Sequence, residues 1–80
     1  MNAILAIERV EPRDDYSLLL EFENHEKKVF SMKPYLEKYP YQALQNKKLF
    51  MKARVQYGTV VWSDEIDLAP DYLYECSTSL

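Results

Sequence analysis

Residues 16–22 read Tyr16-Ser17-Leu18-Leu19-Leu20-Glu21-Phe22, and this stretch decides the fold. Tyr16, Leu18, Leu20 and Phe22 alternate with Ser17, Leu19 and Glu21, the period of two that turns successive side chains to opposite faces of a strand. Four large apolar residues on one face require a core to cover them. Upstream, Ala3–Val10 (AILAIERV) is apolar and β-branched and stops at Pro12. Downstream, Lys27–Ser31 (KKVFS) follows a tight connection. Three strands joined by short connections predict an antiparallel meander.

The connection Glu23-Asn24-His25-Glu26 reads as a two-residue hairpin turn, which needs positive φ at both central positions. His25 stands where glycine is usual, and Asn and His are among the residues that best tolerate left-handed geometry. The lone histidine thereby has a structural explanation. A metal ligand or general base would need converging partners, and only Glu23 and Glu26 are near in sequence.

Beyond Ser31 the period changes. Met32–Tyr39 (MKPYLEKY) places Pro34 where a first helical turn accepts it, with Tyr35, Leu36 and Tyr39 at helical spacing. Pro40 ends that turn. Tyr41–Gln45 and Asn46–Met51 follow as two short helical pieces, with Asn46 as an N-cap and Leu44, Leu49 and Phe50 as the buried face. Arg54–Tyr57 and Thr59–Trp62 flank Gly58, the single glycine, and read as a hairpin whose turn uses its positive φ. The segment Asp67–Glu75 (DLAPDYLYE) reads as a helix entered through Pro70, with Asp71 suiting the positive end of its dipole. The expected architecture is α+β: a mainly antiparallel sheet of about five strands, built as meander, helical segment and hairpin, with a short C-terminal helix.

Eighty residues make one domain, 1–80, that buries roughly 60–65% of its chain surface and so has a thin core. With Cys76 as the only cysteine, no disulfide forms within the chain, and neither CxxC nor Cys/His zinc spacing occurs. The apolar run Ala3–Ile7 is too short for a signal or a membrane span, and a cytoplasmic location is expected. Seven tyrosines, three phenylalanines and one tryptophan suit half-buried positions and interfaces, because tyrosine joins an apolar ring to a polar tip.

Charge is segregated along the chain. Met1–Glu26 carries two basic and seven acidic residues, Lys27–Arg54 eight basic and one acidic, and Val55–Leu80 five acidic and no basic, for a net −3. Lysines interleaved with Tyr35, Tyr39 and Tyr41 are what single-strand binders use. Here, however, the bases spread over several elements and the acidic flanks must fold against them, so a self-complementary solvated surface is the simpler account.

Catalysis has no support. A nucleophile needs a base and an orienting group, and His25 is the only candidate base of that kind. One glycine cannot build a phosphate loop. The acids Asp64, Glu65, Asp67 and Asp71 lack the register of a calcium loop. The sequence predicts neither an enzyme nor a cofactor nor a metal site.

The run Phe50-x4-Val55, Gly58-x3-Trp62, Asp67-Leu68-x-Pro70-Asp71-x-Leu73-Tyr74-Glu75 resembles a small prokaryotic family, domain of unknown function 2442. Asp15-Tyr16, the strand leading to Phe22, and Pro34-Tyr35-Leu36 fall in the family's order. Two positions depart from its pattern: Asn24-His25 replaces the usual Asp/Asn-Gly turn, and Ser63 replaces a frequent proline. The resemblance implies an α+β fold without an established activity. Some members carry this domain beside a DNA-binding helix-turn-helix module, and others stand alone, sometimes encoded near another small protein in the manner of toxin–antitoxin pairs. It favours an interaction or regulatory role, with Trp62, Asp67, Pro70, Leu73 and Tyr74 as a structural clasp of strand end, cap, helix entry and core contacts. The sequence therefore predicts a protein-interaction module that acts as a homodimer or with another small protein, through its first strand or a surface bearing Tyr35, Tyr39 and Tyr41. Weak nucleic-acid binding by segment 27–54 is the alternative, and no membrane partner is expected.

Overall fold

A computed structural model describes residues 5–80. Its first three strands, β1 (Ile7–Pro12), β2 (Ser17–Phe22) and β3 (Lys27–Ser31), form the expected antiparallel meander. Leu18, Leu20 and Phe22 of β2 are fully buried while Leu19 and Glu21 face outward. The predicted alternation therefore holds from Leu18 to Phe22, while Ser17, expected on the outer face, is buried beside Leu18. Each fully buried side chain of this kind is worth roughly 1.5–3 kcal/mol. Of the first expected strand, Ala3 and Ile4 lie outside the described residues. The observed β1 starts at Ile7, carries a bulge between Ile7 and Arg9, and runs on through Pro12.

Both meander loops have the same three-residue form. Arg13 N–H donates to Ser17 C=O and Tyr16 N–H to Arg13 C=O; Phe22 N–H donates to Glu26 C=O and His25 N–H to Phe22 C=O. Tyr16 (φ 64) and His25 (φ 72) hold the left-handed position that this loop type reserves for its last residue. Two expectations change. Tyr16 is a loop residue rather than the first of β2, and the Asn24-His25 connection is a three-residue loop in which His25 alone has positive φ.

The helical middle is shorter than its sequence pattern predicts. Lys33–Tyr35 and Tyr41–Gln45 are 3₁₀ turns, and α1 spans Lys47–Phe50, its start capped by the Asn46 side chain accepting from Lys48 N–H at 3.0 Å. With Pro34 and Pro40 so close together, no α-helix can propagate between them.

The next three strands form a second sheet, not an extension of the first. Strands β4 (Arg54–Gln56), β5 (Thr59–Ser63) and β6 (Ile66–Leu68) pair in that order, all antiparallel. Tyr57 (φ 54) and Gly58 (φ 76) make the two-residue turn expected at the only glycine. A Cβ on Gly58 would sit 2.8 Å from the Ala6 Cβ, so glycine also lets β1 approach; Ile7 N–H donates to Gly58 C=O at 3.0 Å. Helix α2 (Pro70–Cys76) follows, and β7 (Thr78–Ser79) closes the chain onto β3. The first sheet is thus ordered β1-β2-β3-β7, with residues 78–79 as a fourth strand that the sequence analysis did not assign. The α+β class and the C-terminal helix stand; the single five-stranded sheet is replaced by two sheets of four and three strands. Between and beneath them lie Phe22, Phe30, Met32, Leu44, Phe50, Val60 and Leu73.

Candidate interaction surfaces

Three tyrosines converge from separate elements. Tyr35 ends the first 3₁₀ turn and stacks on Phe30 of β3, with centroids 5.4 Å apart and planes 23° apart. Tyr72 extends from α2 to place its hydroxyl 2.6 Å from that of Tyr35. Tyr41, at the start of the second 3₁₀ turn, donates its hydroxyl to the Asp67 carbonyl of β6 at 3.1 Å. Its ring stands edge-on to Tyr35, at 6.3 Å and 78°. With Leu68 and Ala69 the three rings line a depression of about 330 Å³. The bond to Tyr35 pushes the Tyr72 phenol well above its usual range, and burial, then Asp67, raises Tyr41. These phenols therefore stay protonated, as hydrogen-bond donors, at neutral pH.

Of the residues the sequence grouped as a surface, the structure brings Tyr35 and Tyr41 together and leaves out Tyr39, which is 84% exposed. Tyr72 was missed. It lies next to Leu73, and α2 was read inward through Leu73 and Tyr74, leaving Tyr72 no pattern of its own. Only the packing of α2 against β3 brings it to Tyr35.

The motif residues fall elsewhere. Trp62 is buried in β5 and donates its indole N–H to Phe50 C=O at 3.0 Å. Pro70 opens α2, and Leu73 is fully buried. Tyr74 meets Phe22 edge-on at 5.1 Å and 90°, and donates to Glu26 Oε1 at 2.6 Å. That bond raises the Tyr74 phenol and lowers the Glu26 carboxyl. Asp67 is not the expected cap. It is an exposed residue of β6, and α2 starts from Ala69 with no side-chain cap. The alternation Ile66-Asp67-Leu68, buried-exposed-buried, gives Ile66 and Leu68 to the core, and ladder pairing with β5 outweighs helix entry there.

Three basic residues of segment 27–54 lie against tyrosine rings. Lys28 lies 3.9 Å from the Tyr74 ring centroid and donates to its carbonyl, Lys47 lies 4.3 Å over Tyr16, and Lys38 lies 6.0 Å from Tyr35. These lysines are thus used inside the molecule, as cation–π contacts, and only Lys38 with Tyr35 pairs two residues of the interleaved segment.

A second concavity, of about 620 Å³, runs between the outer edge of β1 and residues Ala53–Val55. Val10, Leu19 and Val55 supply its apolar lining, and charges of both signs its rim. Among the described residues no three His, Cys, Asp or Glu side chains gather as a metal site, and no helix is long and apolar enough to cross a membrane.

No curated protein and no solved structure matches the chain. The sequence profile of the family described as Protein of unknown function (DUF2442) matches residues 7–79. That span takes in both sheets, both helices and the three converging tyrosines, and the chain belongs to this family.

Proposed function

We propose that the chain is a protein-interaction module that receives an extended, proline-rich segment of another protein in the depression formed by Tyr35, Tyr41 and Tyr72. The observation that carries this reading is the hydroxyl pair. Tyr35 and Tyr72 share one hydrogen bond, so one of their two O–H hydrogens is left for a ligand, among ring faces set nearly at right angles (78°). A polyproline II segment has no internal hydrogen bonds, so its carbonyls accept readily, and its rings pack against aromatic walls at little entropic cost. The acid Asp67, which lines this depression, favours a basic residue beside the prolines and repels phosphate. That supports a protein partner over a nucleic acid.

The test is titration with proline-rich peptides carrying a flanking arginine, followed by nuclear magnetic resonance shifts. Binding should map to Tyr35, Tyr41 and Tyr72. Tyr72→Phe, which keeps the ring and removes one hydroxyl, should weaken it about five- to ten-fold, the worth of one hydrogen bond. The reading fails if no peptide binds at millimolar concentration, or if single-stranded oligonucleotides shift the same residues more strongly.

A further inference from the structure

We infer that, before any peptide arrives, the tyrosine depression is filled by Tyr39 of a second copy, reciprocally, in a two-fold dimer that the peptide must open. The inference rests on the depression being a binding site, and names what occupies and regulates it.

The plug is built by a turn. Lys38 N–H donates to Tyr35 C=O and Gln42 N–H to Lys38 C=O, both at 3.0 Å. These bonds fold residues 38–42 back on themselves, with Tyr39 and Pro40 at the tip. Tyr35 before the tip and Tyr41 after it both line the depression, so the tip stands at its rim. An exposure of 84% keeps Tyr39 out of the depression of its own copy. One exposed ring is ordinary. This one stands beside a hollow of about 330 Å³, at the small end of ligand sites, with room for one aromatic side chain among three others.

A two-fold interface requires one patch to carry both halves of the contact. Here the tip supplies a ring, a proline and the Lys38 ammonium. The depression supplies aromatic walls, one uncommitted phenol hydrogen and Asp67. Lys38 Nζ, 6.0 Å from the Tyr35 centroid, makes the loosest of the cation–π contacts. It pairs with no carboxylate among the described residues. A two-fold axis beside the tip sets each Tyr39 ring against the partner's Tyr41 and the partner's Tyr72. The Tyr39 hydroxyl both donates and accepts, so it can take the free phenol hydrogen. Each Lys38 then lies beside the partner's Asp67. Lys38-Tyr39-Pro40 thereby presents the chemistry proposed for the peptide, a base next to an apolar ring and a proline, and competes with it. The contact is small, which places the dimer in the weak, transient class.

The test is light scattering of the full chain from micromolar to millimolar concentration, with the nuclear magnetic resonance shifts of Tyr41 and Tyr72 followed over the same range. The mass should rise from the 9.5 kDa of one chain toward twice that, and both tyrosines should shift with it. Tyr39→Ala should raise the dissociation constant about a hundred-fold, because each dimer loses two rings at roughly ten-fold apiece. Where the wild type is dimeric, this variant should bind the proline-rich peptide more tightly, and added peptide should return the wild-type mass to one chain. Lys38→Glu and Asp67→Lys should each weaken self-association several-fold, since each sets two like-charge pairs in the dimer. An equal mixture should restore it, because both pairs are then of opposite sign. All three positions are exposed, and circular dichroism checks that the variants fold. A mass of one chain at millimolar concentration overturns the inference. So does a dimer that Tyr39→Ala leaves intact, or a charge mixture that stays as weak as either variant. Peptide titration of Tyr39→Ala judges the depression separately: a dimer broken by Tyr39→Ala in a chain that binds no peptide upholds the reciprocal docking and removes the peptide reading alone.

Discussion

The loops Asp14-Asp15-Tyr16 and Glu23-Asn24-His25 have the same backbone and the same internal brace. In the first, Asp15 Oδ1 accepts from Ser17 N–H at 3.1 Å; in the second, Asn24 Oδ1 accepts from Glu26 N–H at 3.0 Å. Each ends on a non-glycine residue with positive φ, which costs roughly 1–2 kcal/mol. The difference lies in what offsets that cost. Tyr16 donates its hydroxyl to Gln45 C=O at 2.6 Å and sets its ring 5.1 Å from Phe50, tying the meander to the helical segment. His25 is exposed, with only the Glu21 carboxylate 3.9 Å from its Nδ1. One loop spends backbone strain on a tertiary anchor, and the other carries the strain with little in return.

The comparison predicts opposite signs for one substitution. Tyr16→Gly relieves the strain but removes the ring and hydroxyl contacts, and should cost a net 2–3 kcal/mol or so, given about 3–5 kcal/mol for deleting a packed aromatic. Urea denaturation measures it, and a variant as stable as the wild type would show that the anchor is idle.

His25→Gly should stabilise the chain by about 1 kcal/mol, since it removes strain and almost no contact. A clear loss in the same assay would mean that the His25–Glu21 contact contributes more than its exposure allows.

The smallest effect is with acid. Asp15 is held below its usual 3.8, chiefly by the Ser17 hydroxyl and then by Ser17 N–H. Glu26 is held below its usual 4.5, chiefly by the Tyr74 hydroxyl and then by Asn24. Folded pKa values below the unfolded ones mean that the unfolded chain takes up protons first. The stabilisation from both is therefore complete above the usual values and is lost as pH falls below them. Asp15→Asn should flatten the part of the stability–pH curve that belongs to the first loop and leave the Glu26 part, and identical curves would refute the assignment to Asp15.

Much of this fold is legible in local pattern. Residues 18–22 alternate, Lys27–Ser31 is read at both ends, and Gly58 marks its hairpin because no other residue offers that turn at so little cost. What is illegible depends on partners distant in sequence. Ile66–Leu68 and Thr78–Ser79 are too short to show a period, and become strands only because β5 and β3 present backbone groups to them. Tyr16 extends the apolar alternation of β2 so well that its left-handed turn is hidden. The tyrosine depression was half visible: Tyr35 and Tyr41 stand close in the chain, while Tyr72 arrives from 37 residues beyond Tyr35 and Tyr39, placed between the two, turns away.

The two-residue strand β7 has a mechanical consequence for α2. A helix of seven residues standing free in water would melt from its ends, but this one is clamped at both, through β6 before it and through β7 on β3 after it. Its opening therefore becomes a single event that must unzip a ladder, rather than gradual fraying. Tyr72 rides on that clamped span, so the wall it forms beside Tyr35 behaves as a fixed jaw.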